Sequence, residues 1–195
     1  MSCLTTGSMI LTKRGEVAVE DLRIGDRVIT RDHKQQKITK IYRKRLTGRF
    51  LLDNPHLRPV LIRASAFEAG MPARDTMVAS NSRLPIVARE GGFLRRAVEE
   101  MTAVKLLQDH DTVQQIDMVG IEYFLLQFNR HEIIALNGVW MENFNPFDMS
   151  LGNVGNSQRV EILEIFPELQ ALRRAERPVV KSTAKLRVGA LRRRA

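Results

Sequence analysis

The sequence predicts a mostly-β domain followed by a C-terminal helix and a basic tail. Three observations predict it. Short β-prone runs recur between Met9 and Val139, each closed by Gly, Asn or Asp. Asn137-Gly138 stands between two apolar runs, and a type I′ hairpin turn needs positive φ at both of its central residues. Ser157 is placed to cap a helix over residues 158–170, with Glu161 near its start and Pro167 inside, where the helix must stop or kink.

The elements follow in order. Met9-Ile10-Leu11-Thr12 and Val17-Ala18-Val19 flank Lys13-Arg14-Gly15-Glu16 and predict a hairpin. Gly25-Asp26 closes a tight turn ahead of a strand at Arg27-Val28-Ile29-Thr30. After the Asp32-His33 turn, residues 36–45 read as one strand, with Ile38 and Tyr42 among basic residues. Residues 47–59 read as loop, broken at Asn54-Pro55. Residues 59–64, 75–79 and 84–89 read as strands, and Ala69-Gly70-Met71-Pro72 as a loop. In residues 98–108, Val98, Met101, Val104 and Leu107 fall at helical spacing and predict a short helix with one buried face. Residues 113–119, 121–128 and 131–136 complete a meander of strands.

Composition narrows the function classes. The chain has 195 residues, enough for one domain of ordinary size. We divide it into a body at 1–150, a helix at 151–170 and a tail at 171–195. The net charge is +9, but nine Lys/Arg and one acid, Glu176, lie within 171–195, so the body is close to neutral. The basic tail makes nucleic acid or an acidic partner the expected contact, or serves only to keep the chain solvated. It carries no aromatic residue on which bases would stack. No apolar run reaches the roughly 18 residues of a membrane span. The N-terminus lacks a basic region followed by an apolar stretch, so the default expectation is the cytoplasm, with signal-less export left open.

One cysteine, Cys3, is present, so no internal disulfide forms. A free cysteine is either a small buried hydrophobe or, where its surroundings lower its pKa, a nucleophile. His33, His56, His110 and His131 show no paired metal-ligand spacing, and one Cys cannot build a thiolate zinc site. No phosphate-cradling Gly loop is present. No metal and no cofactor are expected.

Two segments carry a resemblance. The first is Val19-Glu20-Asp21-Leu22-Arg23-Ile24-Gly25-Asp26-Arg27-Val28, which follows Cys3-Leu4-Thr5-Thr6-Gly7-Ser8. The second runs from Ile121-Glu122-Tyr123-Phe124-Leu125-Leu126 to Asn129-Arg130-His131-Glu132-Ile133-Ile134-Ala135-Leu136-Asn137-Gly138-Val139. From Cys3 to about Phe144 the chain resembles Hint (Hedgehog/intein) domains of the bacterial stand-alone type. Leu163-Glu164-Ile165-Phe166-Pro167-Glu168-Leu169 is similar to a segment that follows such domains.

The resemblance implies a fold of two pseudo-symmetric β subunits in a flat disk. It also implies a self-processing activity rather than turnover on a separate substrate. Cys3 would be the nucleophile of an N-to-S acyl shift at the Ser2–Cys3 bond, releasing the Met1-Ser2 dipeptide. Thiol attack on an amide is uphill, so the fold must stabilise the oxyanion and protonate the leaving nitrogen. In the family a Thr-x-x-His motif does this, often after an Arg-Asp pair. Here Arg74, Asp75, Val78 and Arg83 fit that stretch, which makes Asp75 a candidate site residue; Ala79 stands in the Thr slot and Ser82 in the His slot. A one-residue slip would bring in Ser80. His131 matches the His of the closing block and reads either as a catalytic group or as a hydrogen-bonded strand residue. Glu142-Asn143-Phe144 replaces the His-Asn-nucleophile ending, which points to N-terminal cleavage at most rather than splicing. Three readings stay open: a self-processing domain, weak or vestigial in activity; an inactive Hint scaffold that binds or supports; and a binder acting through the basic tail.

Overall fold

The computed structural model describes residues 3–89, 97–143 and 156–170. The chain opens with β1 (Leu4–Thr5), β2 (Met9–Thr12), β3 (Gly15–Ala18), β4 (Arg27–Thr30), β5 (Lys34–Lys37) and β6 (Lys40–Thr47). A short helix, α1 (Gly48–Asp53), precedes β7 (Val60–Ile62), β8 (Thr76–Val78), β9 (Arg83–Arg89) and β10 (Ala97–Ala103). Then come β11 (Val113–Gln115), β12 (Gly120–Gln127), β13 (Glu132–Leu136), β14 (Val139–Asn143) and α2 (Asn156–Ile165).

Two open sheets share these strands. One has six strands in the order β11-β7-β8-β1-β12-β6. The other runs β14-β13-β2-β4-β5, with β3 paired to β2. The chain crosses between them repeatedly, so β1 and β2, adjacent in sequence, belong to different sheets. β9 and β10 pair with each other as a separate hairpin, from Ala97↔Arg89 to Ala103↔Arg83.

Strand alternation sorts side chains into two cores. On β12, Phe124 and Leu126 enter a large cluster with Leu4, Ile10, Val28, Val78, Ile134 and Leu136. Ile121, Tyr123 and Leu125, from the same strand, enter a second cluster with Cys3, Leu46, Ala79 and Phe166. β12 is therefore buried on both faces, which is why Tyr123-Phe124-Leu125-Leu126 reads as an unbroken apolar run.

The mostly-β architecture agrees with the sequence reading, and so does the Asn137-Gly138 turn. Asn137 has φ 47° and Gly138 φ 86°, joining β13 to β14 with Leu136 opposite Val139. Three elements differ. Residues 98–108 begin as strand β10, not a helix, and end in a 3₁₀ turn at Val104–Leu106. Seven cross-strand partners on β9 outweigh the helical spacing, from which Val104 and Leu107 reach the core. The expected loop at 47–59 contains α1, which starts because the Thr47 hydroxyl accepts the Phe50 N–H at 3.3 Å. The single strand expected over 36–45 divides at Ile38-Thr39, where the Gly25 N–H bonds the Ile38 carbonyl and the Thr39 N–H the Gln127 carbonyl.

α2 stops just before Pro167, and a further turn follows, with the Gln170 N–H on the Pro167 carbonyl at 3.0 Å. The helix buries Gln158, Glu161, Ile162 and Ile165 along one stripe, continued by Phe166 and Leu169. The tail at 171–195, the stretch 144–155 and the Glu90-Gly91-Gly92 turn lie outside the described residues. Among the described residues, no helix is long and apolar enough to cross a membrane.

Candidate active site

Cys3 sits just ahead of β1, fully buried. β1 is held on both sides, with Leu4 opposite Phe124 on β12 and opposite Val78 on β8. The Ala79 N–H extends the β8 pairing by donating to the Cys3 carbonyl at 3.2 Å. The Thr5 hydroxyl donates to the Met77 carbonyl at 3.0 Å. The Thr slot of the family motif is thus in direct contact with Cys3, but a methyl group fills it.

Ser80, the alternative for that slot, follows on the same turn. Its single hydroxyl proton serves the His56 carbonyl or the Glu161 carboxyl, each at 3.0 Å. Ser82, in the His slot, is fully buried, and its N–H closes a turn on the Ala79 carbonyl at 2.9 Å.

The side chain that enters this region is Glu161, from α2. It is 2 % exposed. Oε1 lies 3.0 Å from Ser80 Oγ and accepts the Asn81 N–H at 3.4 Å. The Tyr123 hydroxyl, also buried, donates to the Leu57 carbonyl at 2.9 Å. Burial, and secondarily the charge of Glu161, push the Cys3 thiol far above its ordinary range, so the resting thiol is protonated. The sequence alone is compatible with surroundings that lower this pKa; a buried site beside an acidic residue does the reverse.

Burial also raises the Glu161 pKa, partly offset by the charge of the chain's N-terminal amine and then by its hydrogen bonds to Ser80 and Asn81. Stability from the neutral buried carboxyl is fully present below the unfolded-state pKa and is lost as pH rises through the folded value. Glu161→Gln removes that titration. We expect its stability relative to wild type to increase across this window in urea melts at stepped pH; a constant difference would mean that folding does not shift the Glu161 pKa.

The other two candidates lie in different surroundings. Asp75 is exposed just ahead of β8, where it accepts the Ala64 N–H at 2.8 Å and pairs with Arg63 at 2.9 Å. The Ala64 hydrogen bond, then Arg63, lower its pKa. These contacts clamp the link from β7 to β8. His131 precedes β13, with Nε2 3.3 Å from Glu142 Oε1. The Gln158 amide of α2 donates to Glu142 Oε2 at 2.6 Å. The Asn143 amide donates to the Leu126 carbonyl at 2.9 Å. α2 thus connects both ends of the body: Gln158 reaches the closing strand, and Glu161 reaches the Ala79–Asn81 turn beside Cys3.

The sequence signal for this is a charged residue at the centre of the stripe Gln158, Glu161, Ile162, Ile165. Read locally, Glu161 is only an acidic residue near a helix start. Among the described residues, no group of three or more His, Cys, Asp and Glu side chains is placed to hold a metal.

A Hint domain family model matches residues 2–148, most of the chain. The chain belongs to the Hint family. Its fold is similar to that of a DnaB intein from Synechocystis sp. PCC 6803, at 11 % identity and TM-score 0.48, over 74 % of this chain and 100 % of that one. It is also similar to a bacterial intein-like domain from Clostridium thermocellum, at 15 % identity and TM-score 0.42, over 74 % and 99 %. The gp41-1 intein matches at 10 % identity and TM-score 0.44, over 73 % and 99 %. No curated protein matches the chain. The Hint assignment rests on the match over residues 2–148, and it places the chain in a family of autoprocessing domains.

Proposed function

We propose that this Hint domain is a Cys-initiated self-processing unit. Cys3 Sγ attacks the carbonyl carbon of Ser2 and converts the Ser2–Cys3 peptide into a thioester, which an external thiol or water then cleaves. The observation that carries this reading is the position of Cys3. Its carbonyl is tied to Ala79 and the strand that follows it is locked between β8 and β12, so the nucleophile is held at the turn that the resemblance makes the motif turn. In this reading His131 and Asp75 are positioning residues. Asp75 fixes the approach to β8 through Arg63 and Ala64, and His131 with Glu142 fixes the closing strand under α2.

One observation favours a second reading, a Hint scaffold that binds without cleaving. The motif slots hold Ala79 and Ser82, and the Cys3 thiol is buried and protonated. One experiment decides between the two. A reporter domain is fused ahead of Ser2 in the full chain and its release is followed by intact mass, with and without dithiothreitol. Thiol-dependent release that disappears in Cys3→Ala is the expected result. Release surviving in Cys3→Ala removes Cys3 from the reaction, and no release from the wild type over days establishes the scaffold reading.

A further inference from the structure

Glu161 is an expensive residue where it stands. Its neighbours on the stripe of α2 are Gln158, Ile162 and Ile165, the two isoleucines in one core cluster with Cys3, and an apolar side chain would bury there without desolvating a carboxyl. Its two oxygens are held differently. Oε1 is anchored to Ser80 and Asn81, on the turn that follows the Ala79 contact to Cys3. Oε2 is buried and has no hydrogen-bond partner among the described residues. The carboxyl therefore keeps one oxygen uncommitted beside the core that Cys3 and Tyr123 share with Ile162 and Ile165, and its charge raises the pKa of both groups.

We propose that the Glu161 carboxyl is the proton relay of the acyl shift, standing in for the histidine that the motif would place at position 82. This rests on the self-processing reading above. The bond from Cys3 Sγ to the Ser2 carbonyl carbon forms, and the bond from that carbon to the Cys3 nitrogen breaks. Glu161 gives its proton to the leaving Cys3 nitrogen and receives the thiol proton. The products are a thioester and a free amine, and the carboxyl is restored to its starting form. A buried acid suits both proton transfers. Burial favours its protonated form, which has a proton to give, and the buried thiol is protonated, so it has a proton to return.

Several groups face Glu161. Cys3 approaches from just ahead of β1, Tyr123 from β12, and Ser80 and Asn81 from the turn after β8, and the charge of the N-terminal amine, which a reporter fused ahead of Ser2 replaces by a peptide bond, also acts on it. His56 turns its carbonyl to Ser80 and its ring to Glu164, at 2.6 Å, on the outer side of α2. Tyr123, like Cys3, is held neutral by burial.

The test uses the reporter fusion on the full chain, with wild type and Glu161→Gln compared across pH and folding checked by near-UV circular dichroism. Glutamine matches the neutral carboxyl in shape but cannot relay a proton. We expect release to slow about 100-fold in Glu161→Gln. We also expect the wild-type rate to be level at acid pH and to fall as Glu161 ionises, and the variant to lose that descending limb. A folded Glu161→Gln releasing at the wild-type rate overturns the relay and leaves the acyl shift standing. Should the variant not fold, the wild-type profile decides: a rate that only climbs with pH, as a thiolate alone would give, overturns the relay. No Cys3-dependent release from the wild type overturns the acyl shift and the relay together.

Discussion

Phe166→Ala should destabilise the domain by about 3–5 kcal/mol, the usual cost of emptying a buried aromatic site. Phe166 is fully buried, packs edge-on against Tyr42 with ring centroids 6.4 Å apart, and shares a cluster with Cys3, Tyr123 and Leu125. It sits at the end of α2, so its loss weakens the docking of that helix more than either sheet. The same change should expose Cys3. A buried thiol reacts with a labelling reagent only when its cover opens, and each ~1.4 kcal/mol taken from the opening free energy is a tenfold rise in the open population. Labelling of Cys3 by a thiol reagent under native conditions should accelerate by roughly a hundred-fold or more. Urea melts and labelling rates check the two halves separately. A destabilised variant with an unchanged labelling rate would mean that reagents reach Cys3 by a route not covered by α2.

Asn137→Ala should cost about 3 kcal/mol, lowering Tm by roughly 6–12 °C for a chain of this size. Three contributions add. The Asn137 carbonyl oxygen Oδ1 accepts the Met9 N–H at 2.9 Å, and its amide donates to the buried Thr76 hydroxyl at 2.8 Å. Its φ of 47° lies in the left-handed region, which Asn tolerates and Ala does not. One turn residue thereby ties the β13–β14 hairpin to β2 and β8, which lie in different sheets. Asn137→Gly relieves the backbone strain but not the lost hydrogen bonds, so it should be about 1 kcal/mol milder. Equal losses in the two variants would place the whole effect in the side chain.

The same residue shows what the sequence made legible and what it did not. Asn137-Gly138 announces a turn because local backbone geometry is written in those two residues, and β12 announces itself because a doubly buried strand leaves a continuous apolar run. That Asn137 also reaches Met9 and Thr76 is a matter of tertiary placement, and no local pattern encodes it. Residues 98–108 misled for the same reason. Val98, Met101, Val104 and Leu107 satisfy a helical period, but pairing with β9 is a long-range partnership that the window does not contain. At the site, Cys3 and the empty motif slots at Ala79 and Ser82 were visible in the letters. Glu161 was not, because 80 residues or more separate it from the turn it contacts, and only the docking of α2 brings them together.

The double burial of β12 sets a rule about length. A strand with one wet face can absorb a one-residue insertion by sliding, at the cost of exposing its apolar side. Sliding β12 by one position would instead exchange its two faces, sending Tyr123 and Leu125 into the space shaped for Phe124 and Leu126, and the reverse. Both cores would be mispacked at once, and the Tyr123 hydroxyl would be carried away from the Leu57 carbonyl into an apolar interior. A one-residue insertion or deletion within β12 is therefore expected to mispack both cores, and chain length along β12 is as fixed as the identity of any residue on it.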